Sequence, residues 1–146
     1  MSGAVPGALR FAHVALNCRD MAATEAYYTR HFGFQRVRVL PLGDAQIVFL
    51  RLADASLELF AAEGDAPVGE ADGPPAPGVR HVAFQVDDVD AHLRAMGEAA
   101  VVTLGPLDFD DFIPGWRTVW LRDPDGRIVE VSQGYVDQED PPPAGA

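Results

Sequence analysis

Residues 12–23 read Ala-His-Val-Ala-Leu-Asn-Cys-Arg-Asp-Met-Ala-Ala, and residues 80–91 read Arg-His-Val-Ala-Phe-Gln-Val-Asp-Asp-Val-Asp-Ala. A shift of 68 lays His13 on His81, Val14 on Val82, Ala15 on Ala83 and Asp20 on Asp88. The match resumes downstream. Val48-Phe49-Leu50-Arg51 aligns with Val119-Trp120-Leu121-Arg122 at a shift of 71, and Glu58 with Glu130 at 72. An internal repeat decides architecture before any local propensity does. Each copy carries one His and one Glu at equivalent places, so two copies can bring two imidazoles and two carboxylates together.

Both copies show the same order of elements. The apolar stretch 9–17 predicts a strand. Asp20 can cap a helix running to His31, which Gly33 ends. Strands are expected near 35–41, 45–52 and 55–62. The second copy predicts a strand at 79–86 and a helix from Asp88 that buries Val89, Leu93 and Met96 at helical spacing. Strands near 99–104, 116–122 and 127–133 follow, the last two joined by the turn Asp123-Pro124-Asp125-Gly126. The expected organisation is therefore a flexible N-terminus at 1–8, a first βαβββ module at 9–63, an acidic Pro/Gly linker at 64–78, a second module at 79–135 and a flexible tail at 136–146. One such module is too small to bury both faces of its sheet. Two can form an α+β fold, an eight-stranded curled sheet with helices outside and a cavity inside.

Composition narrows the function. The chain has 146 residues, 48% of them apolar, enough for a packed interior. Its formal net charge is −11, from 11 basic and 22 acidic residues. Such a field repels phosphate backbones and argues against a nucleic-acid partner. No apolar run approaches membrane-spanning length, so no membrane partner is expected. The start lacks a basic region followed by an apolar stretch, and Cys18 is the only cysteine. A cytoplasmic location is the expectation that follows.

Strand alternation places the four repeated residues. His13 shares a face with Ala15 and Asn17, His81 with Ala83 and Gln85, Glu58 with Ser56 and Phe60, and Glu130 with Ile128 and Ser132. The flanking Val14, Val82, Leu57, Leu59, Val129 and Val131 point the other way. A single His on a strand is ordinarily a hydrogen-bonded core residue, and a single Glu a solvated edge. Four of them at repeat-equivalent positions carry more weight. A carboxylate amid Leu or Val is costly to bury unpaired. A divalent cation removes that cost, and imidazole with carboxylate suits Zn, Fe, Ni, Co or Mn. His31 and His92 have no repeat partner and read as surface residues of the helices.

On these residues the chain resembles the vicinal oxygen chelate superfamily, which includes glyoxalase I, bleomycin-resistance proteins, methylmalonyl-CoA epimerase and extradiol dioxygenases. The resemblance covers about residues 9–134. It rests on the two His-Val-Ala runs, on Phe32-Gly33-Phe34, and on Asp123-Pro124-Asp125-Gly126 followed by Glu130. It implies the paired βαβββ fold, a homodimer, and one divalent metal ion per site held by His13, Glu58, His81 and Glu130. Glu58 fills the position that is Glu in glyoxalase I. The implied chemistry is proton-transfer isomerisation or lyase chemistry on a small substrate chelated through vicinal oxygens, with Glu130 as first candidate base and Glu58 as second. Two alternatives stay open. One is an Fe(II)-dependent extradiol-type dioxygenase. The other is an antibiotic-like binding or resistance protein, in which Phe84, Phe109, Phe112, Trp116 and Trp120 grip a flat ligand. The same aromatic residues are the candidate substrate pocket of an enzyme. The stretch 108–115 has no counterpart in the first copy and reads as a mobile lid or an aromatic-anchored loop.

Overall fold

The computed structural model describes residues 10–65 and 67–145. The expected N-terminal segment 1–8 lies outside the described residues. The chain divides into two units, Met1–Pro67 and Val68–Ala146.

The first unit holds β1 (Val14–Cys18), α1 (Met21–Phe32), β2 (Gln35–Leu42), β3 (Ala45–Leu52) and β4 (Ala55–Ala61). The second repeats the order with β5 (Val82–Gln85), α2 (Val89–Met96), β6 (Val102–Asp108), β7 (Arg117–Arg122) and β8 (Ile128–Gln133). Hydrogen bonding joins the strands as two four-stranded sheets, ordered β1-β4-β3-β2 and β5-β8-β7-β6. The first and last strands of each unit run parallel and the remaining pairs antiparallel. A helix crossover between β1 and the rest of its sheet makes the parallel pairing possible, since a tight turn cannot.

Local chemistry accounts for the helices. The Asp20 carboxylate accepts from the Ala23 amide at 3.1 Å, and Asp88 accepts from Ala91 at 3.0 Å. Each occupies the N-cap, where a side-chain acceptor contributes about 1 kcal/mol. Gly33 closes α1 at φ 77°, a left-handed conformation that a Cβ would strain. β6 begins later than the sequence predicts, because a 3-10 turn over Gly97–Ala99 uses the residues after α2.

The core lies on one face of each sheet. Leu50, Leu59 and Val48 are buried in the first unit, and Val119, Leu121, Val129 and Val131 in the second. Each such side chain stabilises the fold by about 1.5–3 kcal/mol. α1 packs on β4, and α2 on β7 and β8. The turn after β7 owes its shape to Asp123, whose carboxylate accepts from the amides of Asp125 and Arg127 at 2.9 and 3.0 Å. The Arg127 guanidinium pairs with the same buried carboxylate, which offsets its desolvation.

Residues 68–73 belong to the stretch whose composition reads as a linker, and they are fastened to the second sheet. Gly69 donates to the Gly126 carbonyl at 2.7 Å. Its own carbonyl accepts from Arg122 Nε at 2.8 Å.

Candidate functional site

Register brings the repeated residues together in pairs. In the first unit Glu58 lies opposite Ala15 of β1 and Phe49 of β3. His13, two residues before Ala15, shares that face. His13 Nε2 lies 3.0 Å from Glu58 Oε1, and its ring meets Phe49 edge-on at 5.8 Å. In the second unit Glu130 lies opposite Ala83 and Trp120. His81 Nε2 lies 2.9 Å from Glu130 Oε1, and its ring meets Trp120 at 6.5 Å. Phe49 and Trp120 are themselves repeat equivalents. Each pair thus has a His, a Glu and an aromatic wall on the face turned away from the core. No group of three or more His, Cys, Asp or Glu that could hold a metal occurs among the described residues.

The second pair carries supports that the first lacks. The buried Thr118 hydroxyl donates to Glu130 Oε2 at 2.6 Å. The repeat places Ile47 at the matching position of the first unit, where no hydroxyl is available. His81 Nδ1 lies 2.6 Å from the Asp72 carbonyl oxygen. A carbonyl only accepts, so Nδ1 is the protonated nitrogen and donates to it. In the neutral ring Nε2 then keeps its lone pair, directed at a carboxylate oxygen. Two such acceptors repel unless a proton or a cation lies between them.

Imidazole nitrogen and carboxylate oxygen are donor types that a divalent cation takes. Ligands about 2.1 Å from a metal and at right angles are roughly 3.0 Å apart, the spacing found in both pairs. A ligating His ordinarily donates its other ring N–H to a carbonyl or carboxylate, as His81 does. Across from Glu130, the buried Trp120 indole N–H has no hydrogen-bond partner among the described residues.

The candidate pocket residues divide. Phe109 lies 6.4 Å from Phe112 and 5.1 Å from Trp116, and Trp116 lies 5.8 Å from Tyr135. Phe112, Ile113 and Pro114 of this loop line an open cavity of about 610 Å³ with residues 135–138. The loop is internally bonded: Phe109 and Trp116 pair through their backbones at 2.8 Å, and Gly115 donates to Asp110 at 2.9 Å. At its base Arg117 bridges Asp108 and Asp90 at 3.0–3.1 Å, and Asp108 first, then Asp90, holds the guanidinium above its ordinary pKa. Trp120 lies apart from this cluster, beside His81. Phe84 pairs with Val131 on the core face, opposite the face that carries Glu130. Its place on β5 therefore turns it away from the His81–Glu130 pair, because successive strand residues alternate faces.

Sequence reasoning missed Thr118, Phe49, Asp72 and Tyr135. Phe49 was visible as the repeat partner of Trp120. Thr118 was visible through alternation, two residues before Trp120. Asp72 acts through its backbone carbonyl and left no signal in the side-chain pattern.

Fold and site together define a duplicated βαβββ protein with a His–Glu pair in each module. The chain belongs to the Glyoxalase/Bleomycin resistance protein/Dioxygenase superfamily, whose family model matches residues 10–131. It is 27% identical over 130 residues to the ethylmalonyl-CoA/methylmalonyl-CoA epimerase of Cereibacter sphaeroides, covering 85% of this chain and 97% of that protein. It is 30% identical over 139 residues to the mitochondrial methylmalonyl-CoA epimerase of Homo sapiens, covering 91% and 78%. Among solved structures, lactoylglutathione lyase from Agrobacterium tumefaciens superposes with a TM-score of 0.55 at 30% identity, covering 88% of this chain and 95% of that one. Two of these relatives are epimerases and the third is a lyase. No helix among the described residues is long and apolar enough to cross a membrane.

Proposed function

We propose that the protein is a metal-dependent proton-transfer enzyme of the isomerase or lyase kind. In this reading His13, Glu58, His81 and Glu130 would hold one divalent ion, which would take two oxygens of the substrate. The observation that carries the reading is the pair of repeat-related His–Glu contacts at 3.0 and 2.9 Å, one with its tautomer set by a carbonyl. When bound, a divalent cation supplies Lewis-acid polarisation of the substrate oxygens, which acidifies the adjacent C–H.

The chain's own residues do the rest. Glu130 is the first candidate base. Thr118 fixes its Oε2, so Oε1 stays directed to the His81 side and is the oxygen placed to take a proton. Glu58, which has Ile47 rather than a hydroxyl at the equivalent position, is the second. A substituted malonyl thioester, the substrate class named for two relatives, suits this chemistry. Its thioester carbonyl and its carboxylate flank one acidic C–H. The family resemblance also leads us to expect a homodimer.

Two measurements in sequence test the proposal. Elemental analysis after metal loading should find about one divalent ion per chain. The loaded protein in D2O should then exchange the C–H of methylmalonyl-CoA, or failing that the corresponding C–H of a lactoylglutathione-type substrate. Absence of stoichiometric metal defeats the reading. Vigorous O2 uptake with catechols under Fe(II) would replace it with the dioxygenase alternative.

A further inference from the structure

The segment from Gly69 to Gly73 reads as an acidic, proline-flanked spacer, yet it is fastened at several points to the second unit. Gly69 is held by Gly126 and Arg122, as described above. The Thr103 hydroxyl on β6 donates to the Ala71 carbonyl at 2.5 Å and lies 3.2 Å from the Trp120 carbonyl. The Asp72 carboxylate accepts from Arg80 at 3.0 Å. Gly73 donates back to Glu70 at 2.9 Å, closing a turn. Ala71 adopts φ 47°, a left-handed conformation rare for alanine, within this turn. Gly73 sits at φ 120°, where a Cβ would collide with the Arg80 carbonyl.

The contacts at Ala71, Asp72 and Gly73 bracket one group, the Asp72 carbonyl. The Asp72 carbonyl follows directly on the carbonyl that Thr103 grips, and it accepts from His81 Nδ1 at 2.6 Å. We propose that this strap is a positioning element for His81, in which Thr103 and the Gly73 turn hold the Asp72 carbonyl so that His81 is protonated on Nδ1 and presents Nε2. The proposal rests on the metal-site reading for its consequence, metal affinity, but not for its structural premise. Asp72 and Thr103 touch neither cation nor substrate. They act through the ring of His81.

Outer partners of a ligating His typically contribute 10–100-fold in metal affinity. Thr103→Val removes the hydroxyl and keeps the side-chain shape. It should weaken divalent-metal binding about 10–100-fold, measured with Co(II) or Zn(II) against a competing chelator. Thr103→Ser, which retains the hydroxyl, should restore it. Gly73→Ala, which displaces the strap by another route, should weaken binding in the same direction. The second readout needs no metal. Nitrogen-15 NMR of the metal-free protein should find His81 with a proton on Nδ1 and an unprotonated Nε2. Thr103→Val should shift it toward the mixed tautomers of a free imidazole.

The outcomes separate the two readings. An Nδ1–H His81 that responds to Thr103→Val in a protein that takes up no metal supports the strap and defeats the metal site. An Nε2–H His81 in the wild type, or a doubly protonated ring, overturns the strap proposal whatever the metal content. So does unchanged metal affinity and unchanged tautomer in both Thr103→Val and Gly73→Ala. Should Thr103→Val fail to fold, Gly73→Ala and the wild-type NMR spectrum still decide.

Discussion

The Thr118 hydroxyl donates to Glu130 across 2.6 Å, and Glu130's other oxygen faces His81 at 2.9 Å. One carboxylate is thus braced on one side and presented on the other. A hydrogen bond to a charged group contributes about 1.5–3 kcal/mol. Thr118→Val should therefore reduce turnover about 10–100-fold, while Thr118→Ser should retain most of it. Steady-state kinetics on the metal-loaded protein check this. Equal activity of Thr118→Val and wild type would show that the brace is idle.

The ligand set makes a direct prediction about metal. On the proposed ligand set, His13→Ala and His81→Ala should each lower metal affinity by orders of magnitude, since each would remove a bond from the ion. Chelator competition followed by elemental analysis measures it. Chelator-stripped wild-type protein should lose activity and regain it on adding a divalent ion.

The carboxylates should separate in their effects. Glu130→Gln should lose most turnover, because an amide cannot take the proton. Glu58→Gln should bind metal more weakly and keep measurable turnover. Comparing kcat with metal Kd for the two variants distinguishes base from ligand. Greater loss of kcat in Glu58→Gln would transfer the role of base to Glu58.

Away from the His–Glu pairs, the Tyr135 phenol donates to Asp137, and first that hydrogen bond, then the carboxylate's charge, raises the phenol above its ordinary pKa of 10.0. A raised pKa favours the neutral phenol in the folded state. Any stabilisation is therefore full below about pH 10 and is lost as pH rises through the folded value. Tyr135 is 44% exposed, so the effect on stability is small. Ultraviolet titration of tyrosinate should reveal one phenol that ionises at lower pH in Asp137→Asn than in wild type.

Much of the fold was legible because its signals are local and doubled. Asp20 and Asp88 cap their helices where the repeat places them, and Gly33 ends α1. Strand alternation put Leu57 and Leu59 in the core and Glu58 on the opposite face, which the register with Ala15 and Phe49 reproduces. Other features were not legible. Phe84 looked like a pocket aromatic by type, but its register opposite Val131 sets it on the core face. The spacer composition of residues 64–78 concealed the fastening of Gly69 and Ala71, because it acts through backbone groups that no residue type announces.

The sequence by itself determined that two copies of one βαβββ motif exist and that each carries a His and a Glu on the side away from its apolar residues. Periodicity is a one-dimensional property, and a repeat makes it unambiguous. Only the tertiary structure decided which atoms meet. It closed the eight strands as two sheets of four, set Thr118 against Glu130, and set the Asp72 carbonyl against His81 Nδ1. The last contact follows from the chain folding back on itself across a separation of nine positions, from 72 to 81. Hydrogen-bond geometry at that scale depends on backbone angles such as those of Ala71 and Gly73, which a string of side-chain identities does not contain.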